Sequence, residues 1–290
     1  MMQADKVAVI TGTTHGIGRV TARELARAGF RLVMLCRNPE LAAAVRDDII
    51  RGLPGAAVSV VSCDLGSLAS VRGAATQVRR ETDGIDVLIN NAGIVSARQR
   101  MSIDGYELVF ATNHLGPFLL TQLLRGCMRS GGRIINVASS AHFRGKLQLD
   151  GLCDPRARYR PLEAYANSKL ANVMHAFALA SRLAGSGVTA NCLHPGVVAT
   201  HLLPRWLQII KPWLSQQMLD EERGARTTLH LALSDKVAGA NGLYFDERQR
   251  VQSAAAVAND TQLQEALWAA SERFTGLAPA KTSSWIRDAV

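Results

Sequence analysis

The residues best placed to do chemistry are Tyr165 and Lys169, in the run Tyr165-Ala166-Asn167-Ser168-Lys169. Four positions apart on a helix, their side chains share one face. A free phenol ionises at about pH 10, and a neighbouring ammonium favours the phenolate, drawing the group toward the range useful for proton transfer. On an arbitrary helix such a pair is a surface feature far more often than a catalytic one. Two further signals reverse that weighting here: Ser139 stands at the end of an intervening Val/Ile-rich run, and a glycine-rich turn lies near the amino terminus.

That turn reads Thr11-Gly12-Thr13-Thr14-His15-Gly16-Ile17-Gly18, between an apolar run at 7–11 and an amphipathic stretch at 19–28. Glycines let the backbone turn tightly and approach a diphosphate. The helix that follows offers unpaired N–H groups and the positive end of its dipole. A glycine-rich turn alone is weak evidence, but its placement between a first strand and a first helix makes it specific; the competing reading is a plain strand-to-helix connection. The second apolar run ends at Cys36-Arg37, where dinucleotide-binding folds often carry an acid for the ribose hydroxyls. A guanidinium there suits a 2′-phosphate instead, so NADP(H) is the expected cofactor, unless Arg37 is an ordinary solvated side chain. His15 and Arg19 add positive charge to the same end. In Cys63-Asp64-Leu65, Asp64 is a candidate acceptor for the adenine amino group, or a helix cap.

Short Val/Ile-rich runs alternate with longer helical stretches, the pattern of a parallel sheet flanked by helices. The predicted strands are 7–11, 31–36, 57–62, 87–90, 133–138, 189–193 and 242–245, and the predicted helices about 17–28, 39–52, 67–82, 104–129, 163–185 and 220–234. The expected fold class is α/β, a Rossmann-like doubly wound parallel sheet of about seven strands with helices on both faces. Length and apolar content fit one dinucleotide-binding domain over 1–290, with an insertion at about 198–219 and a C-terminal extension at about 246–290.

In this order and spacing the motifs resemble the short-chain dehydrogenase/reductase family over nearly the whole chain. The resemblance is carried by the turn at 11–18, Asn90-Asn91-Ala92-Gly93, Asn113, Ser139, Tyr165, Lys169 and Pro195-Gly196. The runs Asn113-His114-Leu115-Gly116-Pro117, Asn136-Val137-Ala138-Ser139-Ser140-Ala141-His142 and His194-Pro195-Gly196 look more narrowly like its retinol-dehydrogenase-like branch. The resemblance implies that Ser139 holds the substrate oxygen and that Tyr165 exchanges its proton. Lys169 would lower the tyrosine pKa and bind the nicotinamide ribose, and Asn113 would position a water in the proton relay. It also implies a cofactor lined by Gly12, Thr14, His15, Gly16, Ile17, Gly18, Arg37, Asp64, Leu65, Asn91, Ala92, Gly93, Tyr165, Lys169, Pro195, Gly196, Val198 and Thr200. His142 and His194 read as packing or capping residues, because the tyrosine already fills the acid–base role.

The expected activity is NADPH-dependent carbonyl reduction or the reverse alcohol oxidation. The apolar segment 202–214, with Trp206 and Trp213, reads as a lid over a lipophilic substrate, as an interfacial membrane contact flanked by Arg205 and Lys211, or as a helix pair closing the core. A tailoring ketoreductase of secondary metabolism and a non-catalytic NADP(H)-binding regulator are the alternative functions. The net charge of +9 is dispersed, with Arg79-Arg80 the only adjacent basic pair, which speaks against nucleic acid as a partner. Cys36, Cys63, Cys127, Cys153 and Cys192 are scattered and form no C-x-x-C pair, so neither a disulfide framework nor a metal site is expected. With no signal-like or membrane-spanning run in the sequence, a soluble cytoplasmic protein is expected. Leu170, Val173, Met174, Phe177 and Leu179 spread apolar surface around much of the predicted helix 163–185. Such a helix needs a second cover, and the family often supplies it by pairing subunits, so a homodimer or homotetramer is expected.

Overall fold

A computed structural model describes residues 6–147, 149, 154, 156, 158–197 and 220–277. The first strand shows why the sheet must be covered twice. In β1 (Val7–Thr11) every residue is buried, Val7 and Val9 packing into one layer and Ala8 and Ile10 into the other. Successive side chains of a strand point to opposite faces, so an unbroken apolar run requires helices on both.

Those helices are α1 (Gly16–Arg27), α2 (Pro39–Gly52), α3 (Leu68–Glu81), α4 (Leu108–Phe110), α5 (Gly116–Leu124), α6 (Pro161–Arg182), α7 (Glu221–Leu233) and α8 (Thr261–Thr275). They surround β1, β2 (Arg31–Cys36), β3 (Val58–Ser62), β4 (Ile85–Asn90), β5 (Met128–Val137), β6 (Thr189–Leu193), β7 (Tyr244–Phe245) and β8 (Val251–Gln252). The strand order is β3-β2-β1-β4-β5-β6-β7-β8, parallel except for the antiparallel β7–β8 pair. The order reverses between β1 and β4, and connections on the two sides diverge there, opening a crevice at the carboxyl ends of these strands.

The doubly wound class is as expected, with eight strands among the described residues rather than about seven. The extra strand, β8, is two exposed residues long and too short to carry an alternating pattern. Strand β5 begins at Met128 rather than 133, extended by pairing of Met128 with Ile85 across a register irregularity. The predicted helix 104–129 is divided. A π-helical turn, Ala111–Leu115, separates α4 from α5, and a 3-10 turn follows at Arg125–Cys127. Pro117 lacks the N–H that an α-helix would donate to the Asn113 carbonyl, and π turns of this kind recur at functional sites.

Helix α8 lies within the expected C-terminal extension at 246–290. Asp260 caps its start by accepting the Leu263 N–H at 3.0 Å, and Gly276 ends it at φ 64°, the left-handed conformation glycine adopts without strain. It packs on α5 and α6. The Trp268 ring lies 5.0 Å from Phe118 and 5.7 Å from His175, the Arg182 guanidinium sits 3.9 Å over it, and Leu267 joins Val173 and Met174 in one apolar cluster. The second cover for α6 therefore comes from the same chain.

Replacing Trp268 with alanine is expected to lower unfolding free energy by about 3–5 kcal/mol, the usual cost of emptying a buried tryptophan site. Chemical denaturation checks this, and a loss below about 1 kcal/mol would mean that α8 rests on α6 without stabilising it. No helix among the described residues is long and apolar enough to cross a membrane.

Candidate active site

The crevice is built by backbone clamps between β1 and β4. The Thr11 hydroxyl accepts the Asn91 and Ala92 N–H groups, each at 3.0 Å, and the Asn91 amide donates to the Thr11 and Gly12 carbonyls at 2.8 and 3.0 Å. Gly12 and Gly16 have φ of 73° and 62°, conformations that L side chains rarely adopt. A Cβ on Gly12 would lie 2.9 Å from the Ala92 Cα, and one on Gly18 would lie 2.1 Å from the Gly12 carbonyl oxygen. Helix α1 then starts at an exposed His15 whose side chain makes no capping bond, with no acidic residue in its first turn. Bare backbone, a helix N-terminus without a side-chain cap and no nearby carboxylate in the first turn are what a diphosphate requires. A dinucleotide fits this cradle.

The ends of β1, β2 and β3 are tied together beside it. Thr13 Oγ1 is 3.0 Å from Cys36 Sγ, and the Cys63 N–H donates to the Cys36 carbonyl at 2.9 Å. This brings Arg37 and Asp64 to the same end of the crevice. Arg37 is exposed and makes no ion pair or hydrogen bond among the described residues. Arg19 is instead engaged with Glu221 of α7 at 3.4 Å. The cap of α3 is Ser67, which accepts the Ser70 N–H at 3.3 Å, while Asp64 Oδ1 accepts the Gly66 N–H at 2.9 Å. The helix-cap alternative for Asp64 thus gives way to a local turn that orients its carboxylate. Leu65 is buried beside it, its carbonyl against the position where Gly116 lacks a side chain.

At the other end, α6 carries Tyr165 and Lys169 toward the end of β5. The Tyr165 phenol has the Ser139 hydroxyl as its polar neighbour, which favours the ionised phenol. Ser140 is exposed, so the structure separates the two neighbouring serines. The Lys169 ammonium is 5.7 Å from the Tyr165 ring centroid and donates to the Val137 carbonyl at 2.9 Å. Burial pulls this ammonium down to about 8. Burial also pushes the phenol above its ordinary value, and the neighbouring Ser139 hydroxyl opposes it by less. In this geometry the direction of the phenol's shift is upward, and its cause is desolvation.

Asn113 sits in the π turn and is fully buried. Its Oδ1 accepts the Ile94 N–H at 2.8 Å, and its amide donates to the Ile94 carbonyl and to Ser168 Oγ, both at 3.0 Å. Both amide protons are thus committed to holding the strand β4 loop against α6. Ser168 and the Ile94 backbone were not singled out from the sequence; Ser168 lay inside the quoted Tyr-to-Lys run, but nothing local marks it as the partner of Asn113. Gly93 lies between the two ends, where a Cβ would come 3.2 Å from Lys169 Nζ and 3.5 Å from Asn113 Oδ1. Gly196 has φ 82° and donates its N–H to His194 Nδ1 at 3.1 Å, placing Pro195-Gly196 after β6. Val198, Thr200 and the whole segment 198–219 lie outside the described residues.

Residues 6–208 match the family described as short chain dehydrogenase. Across 284 residues the chain is 39% identical to dehydrogenase/reductase SDR family member 13 of Homo sapiens, an alignment covering 95% of this chain and 74% of that protein. It is 38% identical to retinol dehydrogenase 13 of Homo sapiens over 283 residues, 94% of this chain and 85% of that one. The fold superimposes with a TM-score of 0.77 on the crystal structure of an uncharacterized protein from Mycobacterium Paratuberculosis, at 34% identity over 94% of each chain.

Proposed function

This chain belongs to the short-chain dehydrogenase family, in its retinol-dehydrogenase-like branch, and from that premise we propose that it is an NADPH-preferring enzyme that reduces a lipophilic ketone or aldehyde, or oxidises the matching alcohol. The observation that carries this reading is the meeting of Tyr165, Ser139 and Lys169 beside Gly93. A nicotinamide bound there would supply or accept the hydride. Ser139 and Tyr165 hold the substrate oxygen between two hydroxyl groups. In reduction the phenol gives its proton to the oxygen that gains negative charge, and the Lys169 ammonium then lies beside the phenolate. In oxidation the same oxygen returns its proton to the phenolate. Lys169 spends one N–H on Val137, which leaves two donors for the ribose hydroxyls across the space that Gly93 leaves open. Asn113 positions Ile94 and α6 around that space.

The cradle formed by Gly12, Thr14, His15, Gly16, Ile17 and Gly18 would hold the diphosphate, with Asn91 and Ala92 as its opposite wall. Arg37 would take the 2′-phosphate, and Asp64 and Leu65 the adenine. Support for a lipophilic substrate comes from Phe143, Leu162 and Val197, exposed at 54%, 55% and 51% and attached to the segments that follow Ser139, precede Tyr165 and follow Gly196. Large apolar side chains left in water on the segments that carry the site's polar residues favour an apolar ligand.

Turnover of carbonyl compounds of graded size, assayed with NADPH and with NADH, tests the proposal. Large apolar ketones or aldehydes should be reduced best, and preference for small hydrophilic carbonyls would remove the substrate class. Changing Arg37 to Asp should reverse the cofactor preference, by about tenfold or more in kcat/KM ratio, since a charge-assisted phosphate contact of about 1.5–3 kcal/mol is exchanged for repulsion. An unchanged ratio would place phosphate recognition elsewhere.

A further inference from the structure

We infer that His142 is a positioning residue for the Ser139 hydroxyl, tying the backbone of Ser139 to the segment after β8 through a neutral imidazole bonded at both nitrogens. The inference rests on the catalytic reading of Ser139 given above. His142 is completely buried in the 3-10 turn Ser140–Arg144. Its Nδ1 lies 2.7 Å from the Ser139 carbonyl oxygen, which can only accept, so Nδ1 carries the proton. Nε2 is then an acceptor, and it receives the Ala255 N–H at 3.2 Å. One tautomer satisfies both neighbours.

The ring is held between Phe143 and Tyr244, with centroids 4.1 and 4.8 Å away. His194 stacks on the same Tyr244 ring at 5.9 Å, with Nε2 3.0 Å from Glu247, so a second histidine tethers Gly196 from the same layer. Ser139 Oγ caps the turn by accepting the Ala141 N–H at 3.2 Å, which means that the hydroxyl moves with the turn. His142 fixes that turn from below, one residue beyond the end of the cap. Neither nitrogen is left to exchange a proton with a substrate, so the residue acts through Ser139. A displacement of the hydroxyl by about 1 Å is enough to cost on the order of a hundredfold in rate.

His142→Phe keeps a ring between Phe143 and Tyr244 and deletes both hydrogen bonds. It should lower kcat by about tenfold to a hundredfold with the KM for NADPH little changed. The deciding measurement is the same substitution in a Ser139→Ala background, where no hydroxyl remains to be placed. There it should cost less than about twofold. An equal loss in both backgrounds, or a parental kcat in His142→Phe, overturns the inference. Ser139→Ala with the parental rate would instead overturn the catalytic reading of the serine, so the two failures are distinguishable. His142→Leu is the second variant, an apolar side chain that removes both hydrogen bonds and leaves no ring against Phe143 and Tyr244. If His142→Phe does not fold, this variant carries the same test: a several-fold loss of kcat that vanishes with Ser139→Ala supports the tether, and a loss that persists overturns it.

Discussion

Tyr165→Phe is expected to cut carbonyl reduction by about a hundredfold to ten-thousandfold while NADPH binding and thermal stability stay near parental values. The range is the usual contribution of a positioned proton donor. Phenylalanine keeps the ring beside Lys169 and removes only the hydroxyl that neighbours Ser139. The pH profile should identify the group. Burial holds the phenol above its ordinary pKa, so it stays protonated through neutrality, and the reductive rate should be level across neutral pH and fall only under alkaline conditions. Alcohol oxidation needs the ionised phenol and should rise with pH over the same interval. Lys169 loses its charge around pH 8, which weakens the support for the phenolate as the oxidative rate climbs and should blunt that rise. Steady-state rates in both directions from mild acid to alkali, with cofactor binding measured separately, decide the matter. A Phe variant retaining half the parental rate, or reduction that requires a group titrating near neutrality, would move the acid away from Tyr165.

The second large effect is expected at Gly18. A Cβ there would stand 2.1 Å from the Gly12 carbonyl oxygen and 2.5 Å from Asn91 Nδ2. Neither neighbour is free to move. The carbonyl belongs to the turn, and the amide is held by its bonds to the Thr11 and Gly12 carbonyls. Gly18→Ala must therefore push α1 away from the end of β1 and open the cradle that the diphosphate would occupy. NADPH affinity should fall by about a hundredfold or more, equivalent to about 2.7 kcal/mol, with a lower melting temperature. Gly73→Ala is the internal comparison, since that glycine lies exposed in α3 with open space around it, and alanine there should stabilise by up to about 1 kcal/mol. Calorimetric titration with NADPH would show the difference, and an unchanged affinity in Gly18→Ala would end the cradle.

Much of this architecture can be read from contiguous residues. The bounds of β1, β2, β6 and α2 follow from apolar runs set between turn and cap residues, as with Asn38, which accepts the Leu41 N–H at 2.8 Å at the start of α2. The division of the helix at Asn113 was less legible, although Pro117 is visible four residues on. Periodicity alone does not tell a π turn from a continuous helix, and the Ile94 backbone that Asn113 grips comes from another part of the chain.

The sequence by itself determined the wind of the sheet, the place of the glycine cradle and which chemical groups are available: a phenol, an ammonium, two neighbouring serines and a guanidinium where an acid is more usual. Such features are local, set by side-chain period, turn conformation and residue type. The tertiary structure decided which serine faces the phenol, the upward direction of its pKa, the commitment of both Asn113 amide protons and the covering of α6 by α8. Each depends on desolvation or on distances between groups far apart along the chain, and neither quantity exists until the chain has packed.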